Sequence, residues 1–295
     1  MAIRQDQAGR VLVVTIDAPE VKNAFDRDLV AALRDLFESV AYRDPLPVDP
    51  GKGRLADGSW DIGPGGAWRP HVIVLRATGD VFCAGAHLGE MKELGRADHE
   101  TNLAAALDMG AMFRAVRNCP VPVVARVQGA AYGGGVGLVA ACDVVVAAFG
   151  ARFRFSEVRL GLVPGVIAPL VIDRIGQAAA RHYFLTGDVI DGAAAHRIGL
   201  VDRLAAEGEL DVVTEATVRS LLKGGGAALG LCKSLLEGVE SLGFARSGEQ
   251  AARQIAEARA NPEAQKALEA FLAKEPAPWA EPTEWTLTEP ESGDR

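Results

Sequence analysis

The sequence lacks the features that mark membrane-bound, secreted or nucleic-acid-binding chains. No uncharged apolar run reaches the roughly 18 residues that a membrane span needs, and the start, MAIRQDQAGR, has no apolar stretch behind a basic end. Positive charge is also scarce, with 31 Lys and Arg against 39 Asp and Glu and a net charge of -8. We therefore expect no membrane and no nucleic-acid partner, and any anionic ligand must be held by local charges.

Cysteine and histidine are sparse as well. The four cysteines lie far apart without C-x-x-C spacing, which predicts no disulfide framework and a reduced, cytoplasmic compartment. Most of the histidines show no metal-like spacing, so no metal site is predicted. The cysteines are Cys83, Cys119, Cys142 and Cys232, and the histidines concerned are His71, His99, His182 and His196.

Apolar residues are plentiful, at 49% of 295, and their spacing predicts an α/β fold. The stretch AFDRDLVAALRDLFESVA (24–41) has the period of an amphipathic helix. Helical stretches also separate the first three predicted strands, and this alternation implies a mostly parallel, buried sheet. The predicted strands are RVLVVTI (10–16), HVIVLRA (71–77), PVVARVQG (122–129) and DVVVAA (143–148).

Changes in composition predict the domain organisation. Residues 1–205 are expected to form an α/β core, which the Pro- and Gly-rich stretch 43–70 interrupts as an inserted surface loop. After about residue 176 the composition predicts continuous helix, and residues 206–279 form a helical C-terminal region. The Pro- and Glu-rich tail, 280–295, is predicted to be mobile.

The stretch AAYGGGVGLVA (130–140) contains GVGLVA, which matches the dinucleotide fingerprint G-x-G-x-x-A. In that site a crossover of about a dozen residues or more leads to a parallel neighbouring strand. Only residues 138–142 separate Gly137 from the next predicted strand, which is too short, although Glu157 stands at the distance of the fingerprint's acidic residue. Two alternatives remain: a turn whose glycines serve packing, or a turn whose helical N–H groups hold a partial negative charge.

A second stretch, GDVFCAGAHLGEM (79–91), directly follows the second predicted strand. The two stretches together resemble the enoyl-CoA hydratase/isomerase (crotonase) superfamily, in which an F-x-A-G-A-D-L loop and a GGG turn each give one backbone N–H to a thioester oxygen. The resemblance covers nearly the whole chain and implies a crotonase-like spiral of ββα units with a helical C-terminal trimerisation region. Further similar segments are DAPEVKNAFD, NCPVPVVARVQGAAYGGG, CDVVVAA, ARFRFSEVRLGLVPG, FLTGDVIDGAAAHRIGLVDRL and EAFLAKEPAPW.

The resemblance implies three catalytic groups. The N–H groups of Ala86 and Gly134 would form an oxyanion hole around the thioester carbonyl of an acyl-CoA, and Glu157 would act as acid and base. The family's other carboxylate position, two residues past the GGG triplet, is Gly137 here. Gly137 is therefore expected to leave space in the substrate pocket for a branched or carboxylated acyl group.

Other residues of the implied substrate site leave alternatives open. Tyr132 either lines the acyl pocket or packs beneath it. His87 stands where the family usually has Asp, and it either acts on the substrate or points away and caps or braces the loop.

Coenzyme A is expected as part of the substrate, and no other cofactor is predicted. The resemblance places Lys22 and the backbone from Ala84 to Ala86 against CoA. It also places Phe271 and Lys274 against CoA bound to a neighbouring subunit, with an ordinary solvated helix face as the alternative. It thereby implies a homotrimer or a hexamer.

The resemblance implies hydration or reversible dehydration of a short or branched 2-enoyl-CoA, as in methylglutaconyl-CoA hydratases, and a single carboxylate, Glu157, does not exclude it because one glutamate can orient water and return a proton in succession. The first alternative is a 3,2-enoyl-CoA isomerase that uses the same glutamate, because moving a proton between two carbons needs no second carboxylate. The second alternative is a non-catalytic acyl-CoA-binding paralogue.

Overall fold

The computed structural model describes residues 3–42, 70–280 and 285–287, in which two β-sheets are flanked by helices. The strands are β1 (Ile3–Ala8), β2 (Val11–Ile16), β3 (Val72–Ala77), β4 (Val123–Val127), β5 (Ala130–Tyr132), β6 (Val144–Ala148), β7 (Arg152–Arg154), β8 (Val189–Asp191) and β9 (Arg203–Ala205). The helices are α1 (Arg27–Tyr42), α2 (Leu88–Leu94), α3 (His99–Arg117), α4 (Gly134–Ala141), α5 (Ala168–Thr186), α6 (Gly192–Arg197), α7 (Leu210–Leu221), α8 (Gly226–Leu242), α9 (Phe244–Ala260) and α10 (Pro262–Ala273).

The larger sheet has the strand order β1-β2-β3-β4-β6-β9. Strand β1 runs antiparallel to β2 and the other neighbouring strands are parallel, which confirms the predicted mostly parallel sheet. Strand β1 itself was not predicted, because residues 4–7 are exposed at the sheet edge and carry polar side chains. The smaller sheet has the order β5-β7-β8, with β5 and β7 parallel and β7 and β8 antiparallel.

Both faces of the larger sheet are buried at its central strands, which explains why β2, β3, β4 and β6 are rich in apolar residues. Along β2, Leu12 and Val14 face the core formed with α1, α3, α4 and α5. Val11 and Val13 point to the opposite face, where α7 and the segment 285–287 cover the sheet. This alternation is the two-residue period of a strand.

Helix α1 begins three residues later than its sequence predicts. Asp26 Oδ1 accepts a hydrogen bond from the Leu29 N–H at 2.7 Å, and this cap ends the preceding loop at Asp26. The amphipathic period is confirmed, since the apolar residues of the helix are buried: Leu29, Val30, Leu33, Leu36, Phe37 and Val40.

The chain between the third and fourth predicted strands was expected to be too short for a crossover between parallel strands, and this expectation was wrong. Strands β4 and β6 are parallel neighbours, so the chain does complete a crossover between them. Residues 130–132 form β5, which leaves the larger sheet and pairs with β7, and together with α4 it supplies the missing length. The strand that leads directly into the Gly turn therefore belongs to the smaller sheet.

The prediction of continuous helix after residue 176 was also wrong. Gly176, with φ 75° and ψ 159°, interrupts α5, and strands β8 and β9 follow before α7 begins. These strands have three residues each, too few to show a period.

Several expectations concern residues outside the described ranges. The predicted inserted loop lies there except for residue 70, as does most of the predicted tail. Residues 285–287 differ from the expected mobile tail, because Trp285 and Leu287 are buried against the sheet. The division between 1–205 and 206–279 stays a prediction. None of the helices in the described residues is long and apolar enough to cross a membrane.

Candidate active site

The Gly turn is fixed by strand pairing on one side and a buried helix on the other. Gly133, with φ 49° and ψ -119°, directly precedes α4 and donates its N–H to the Arg154 carbonyl at 2.9 Å. Its own carbonyl accepts from Val136 and Gly137, which closes the first turn of α4. The Gly134 N–H is the first of the helix and has no acceptor among the described residues, so it is available to a ligand.

The loop after β3 lies directly against this turn. Phe25 donates its N–H to the Gly85 carbonyl at 2.8 Å and accepts from the His87 N–H at 2.8 Å. In this parallel pairing the N–H of Ala86, the residue between them, points away from Phe25. A Cβ added to Gly85 would lie 3.3 Å from the Gly134 nitrogen, so the two loops are in contact.

Glu157 lies beside the same turn. It begins the 3-10 turn that follows β7, and its Oε1 lies 3.1 Å from the position that a Cβ of Gly133 would occupy. Burial raises the pKa of the Glu157 carboxyl, and a hydrogen bond from its own backbone N–H partly opposes this effect. Its Oε2 is buried without a hydrogen-bond partner in the described part of the chain. A carboxylate in this place also argues against a diphosphate at the Gly turn, because the two anions would repel each other.

Gly137 does not open a pocket, and the expectation of free space there was wrong. A Cβ at this position would lie 2.2 Å from Ile167 Cγ2 and 3.3 Å from Phe113 Cζ. The isoleucine fills the volume that a side chain at 137 would take. Residue 137 therefore supplies no second carboxylate to act together with Glu157.

A cavity of about 550 Å³ opens beside the turn and the loop. It brings together Lys22, Ala84, Ala86, His87 and Tyr132, which the sequence predicted for the site. Gly134 and Glu157 are not in its wall, although their near neighbours Tyr132 and Ser156 are. The remaining residues of the wall are Glu20, Val21, Ala24, Leu88, Gly89, Arg154, Arg159 and Leu160.

His87 is in the cavity wall, and the expectation that its side chain caps the loop is not met, whereas a role in bracing the loop or acting on the substrate stays a prediction. It directly precedes α2, but its side chain makes no capping hydrogen bond. Its Nδ1 is buried and has no hydrogen-bond partner among the described residues. The ring lies over the first turn of α2, where a Cβ on Gly89 would be 3.0 Å from its Cε1.

Phe271 and Lys274 lie apart from this cavity at the end of α10, where Phe271 is 77% exposed. Their predicted contact is with CoA on a neighbouring subunit, so it stays a prediction.

Arg154 and Arg159 are cavity residues that sequence reasoning missed. The alternation in RFRF was the available signal: Phe153 and Phe155 are buried, whereas Arg152 is exposed. Such alternation predicts a short strand with arginines on one face, but only the fold shows that this face reaches the cavity.

Comparison with known families gives one match over most of the chain. The family described as Enoyl-CoA hydratase/isomerase matches residues 69–282.

Individual relatives agree with this match. A putative enoyl-CoA hydratase from Thermus thermophilus is 29% identical over 272 residues, which cover 92% of this chain and 98% of the relative. The mitochondrial methylglutaconyl-CoA hydratase 1 of Pyricularia oryzae is 31% identical over 67% of this chain and 57% of its own length. Among solved structures, Pseudomonas aeruginosa AtuE superposes with a TM-score of 0.83 at 31% identity and covers 95% of this chain and 100% of its own.

Proposed function

Because this chain belongs to the enoyl-CoA hydratase/isomerase family, we propose that it hydrates, and reversibly dehydrates, a short or branched 2-enoyl-CoA. The observation that carries the proposal is Glu157, a carboxyl group with a raised pKa that lies against the Gly133 turn. A methylglutaconyl-CoA-like substrate is the branched acyl group that we favour, since a relative carries that activity in its name.

The two free N–H groups would stabilise the charge that develops on the thioester oxygen. Ala86 and Gly134 donate to this oxygen, and their support increases as the carbonyl becomes an enolate. Losing one such donor typically costs about 2.7 to 4 kcal/mol of activation free energy.

Glu157 would perform both proton transfers. As the ionised base it takes a proton from water while the water oxygen adds to C3 of the acyl chain, and then it returns a proton to C2 of the enolate. Burial suits this role, because it raises the pKa of the carboxyl toward neutral pH, and a general acid and base works best when its pKa lies near the operating pH. No cofactor takes part, and coenzyme A enters as part of the substrate.

Isomerisation of a 3-enoyl-CoA is the second candidate. The filled space at Gly137 favours it, because a second carboxylate is absent there and moving a proton between two carbons needs only one. Glu157 would remove a proton from C2 and return it to C4, with no water added. A non-catalytic acyl-CoA-binding protein is the third candidate, and it would use the same cavity without proton transfer.

The residues in and around the cavity would bind the different parts of the acyl-CoA substrate. Lys22 and the Ala84 backbone would contact CoA, and Tyr132 would line the acyl end, since these three residues are in the cavity wall. Phe271 and Lys274 would complete the CoA site of a neighbouring subunit in a homotrimer or hexamer.

One experiment separates the three functions. The protein is incubated in heavy water with 3-methylglutaconyl-CoA, crotonyl-CoA and a 3-enoyl-CoA, and the product masses are read. We expect added water for at least one 2-enoyl-CoA, with the rate reduced by about 10² to 10⁴ in Glu157→Gln. Deuterium exchange with a moved double bond and no added water would show an isomerase instead. Binding without turnover would leave the non-catalytic function, and an unchanged rate in Glu157→Gln would refute the role of Glu157.

A further inference from the structure

The cavity wall contains an arginine that the proposed reaction does not use. Arg154 is the last residue of β7, and its carbonyl accepts the Gly133 N–H at 2.9 Å. On its other side β7 pairs with β8, where Arg154 stands opposite Val189. The main chain of Arg154 is therefore fixed by the same contacts that shape the Gly turn.

The side chain of Arg154 is anchored at one nitrogen only. Its Nε donates to the Gly187 carbonyl at 2.8 Å. Its two Nη atoms have no acceptor among the described residues, and no carboxylate there lies within ion-pair distance. A half-buried guanidinium with free donors is a favourable partner for an anion, because unpaired charged donors are costly to remove from water.

Arg159 in the same wall differs in this respect. Its Nη2 donates to Asp188 Oδ1 at 3.1 Å and to the Thr186 carbonyl at 3.3 Å, so its charge is already compensated. The wall also holds Lys22 and a single carboxylate, Glu20. In a chain of net charge -8, the cavity is thus locally cationic, and Arg154 is its uncompensated guanidinium.

We propose that Arg154 binds an anionic group of the acyl-CoA substrate. This inference rests on the proposed function, which makes an acyl-CoA the ligand of the cavity. Two parts of such a ligand have the required chemistry: a carboxylate carried by the acyl group, or the phosphate groups of CoA. The planar guanidinium fork matches either anion, and the Nε contact to Gly187 holds it in place for a bidentate contact through the Nη atoms.

The test measures binding of four unreactive thioesters: butyryl-CoA, glutaryl-CoA, butyryl-pantetheine and glutaryl-pantetheine. Calorimetric dissociation constants are compared for the wild type, Arg154→Gln and Arg154→Lys. Arg152→Gln is the matched control, because Arg152 is an exposed arginine on the same strand and is absent from the cavity wall, and among the described residues its side chain bonds only the Gly150 and Ala151 carbonyls. Circular dichroism and thermal unfolding confirm that each variant is folded.

The pattern of losses identifies the anion. We expect Arg154→Gln to weaken binding of the anion-bearing ligands by about tenfold to a hundredfold, with part of the loss restored in Arg154→Lys. A loss confined to the two glutaryl ligands shows an acyl carboxylate. A loss for both CoA ligands, and for neither pantetheine ligand, shows a phosphate group of CoA. An equal loss across all four ligands, or no loss, overturns the proposal.

The result is different if the cavity does not take an acyl-CoA at all. In that case the wild type itself binds none of the four thioesters, whereas loss of hydration alone would show in the turnover experiment and leave this binding unchanged. If the wild type binds them and Arg154→Gln binds them equally well, only the role of Arg154 is refuted.

Discussion

Glu157 and Gly133 depend on each other. The carboxyl Oε1 lies 3.1 Å from the place of a Cβ at Gly133, and the glycine adopts φ 49° and ψ -119°, which side chains rarely permit. Glu157 is also buried in this position, and the burial raises its pKa.

The first prediction concerns stability against pH in Glu157→Gln. The pKa of Glu157 is raised in the folded state, so the folded protein binds more protons than the unfolded chain between the ordinary glutamate value, about 4.3, and the raised value. Wild-type stability should fall as the pH rises through this window. Glu157→Gln, which does not ionise, should melt at a higher temperature than the wild type at pH 7 and lose that advantage below about pH 4.3.

Thermal unfolding across pH 4 to 8 measures this difference. Glu207→Gln, at an exposed glutamate, is the control and should show no such trend. A Gln advantage that grows toward low pH would contradict the predicted sign.

The second prediction concerns Gly133→Ala. The new Cβ would press against Glu157 Oε1 in a strained backbone conformation, so we expect about 1 to 3 kcal/mol of destabilisation and a marked loss of kcat. The matched control is Gly150→Ala, since a Cβ there meets no atom within 4 Å. Denaturant unfolding and turnover are measured for both variants, and equal effects in the two would show that the contact with Glu157 is unimportant.

At the scale of elements, short strands position the site and a C-terminal segment covers the far face of the sheet. Strands β5 and β7 bring the Gly turn beside the glutamate, although each has only three residues. On the opposite face, Glu215 Oε1 accepts the Leu287 N–H at 2.9 Å, and Arg76 Nη1 donates to the Leu287 carbonyl at 3.1 Å. These bonds hold Trp285 and Leu287 against α7 and the sheet.

The third prediction is that Trp285→Ala destabilises the fold. Trp285 is only 6% exposed and belongs to the apolar core beneath α7, so removing the indole should cost about 3 to 5 kcal/mol. Denaturant unfolding gives the value. Val212→Ala, at a residue of α7 that is 62% exposed, should change the unfolding free energy by less than about 0.5 kcal/mol. A similar small effect at Trp285 would mean that the segment does not stabilise the sheet.

At the scale of the whole molecule, large apolar side chains remain exposed on the C-terminal helices. Phe244 is 96% exposed, and on α10 Phe271 and Leu272 are 77% and 81% exposed. Adjacent apolar residues of this size in water are typical of an association surface. They agree with the homotrimer or hexamer that the family resemblance implies, in which Phe271 also approaches a neighbour's CoA.

The fourth prediction is that the wild type has three or six times the 31.0 kDa mass of the chain. The double variant Phe271→Glu, Leu272→Glu should shift the protein toward the monomer, because burying the introduced charges is costly. Size-exclusion chromatography with light scattering measures the mass. Lys266→Glu, which also adds negative charge to α10 without removing an apolar group, should keep the wild-type mass, and a monomeric wild type would refute the prediction.

The sequence by itself determined the main strands, the buried face of α1 and the family. Apolar runs and the period of α1 are local patterns, and the ordered motifs around Ala86, Gly134 and Glu157 are specific enough to identify the enoyl-CoA hydratase/isomerase family and its fold, both of which the comparisons confirm. The three-residue strands β5, β8 and β9, by contrast, carry too little pattern to be predicted, and the RFRF alternation at β7 does not show which cavity its arginines reach.

Only the tertiary structure decided which groups share a space. Ile167 fills the volume at Gly137, although thirty positions later in the chain, and Arg154 reaches the cavity with free donors because β7 pairs between β5 and β8. The raised pKa of Glu157 depends likewise on burial by distant residues. Such properties depend on long-range contacts, and a local sequence pattern carries no information about what will pack against it.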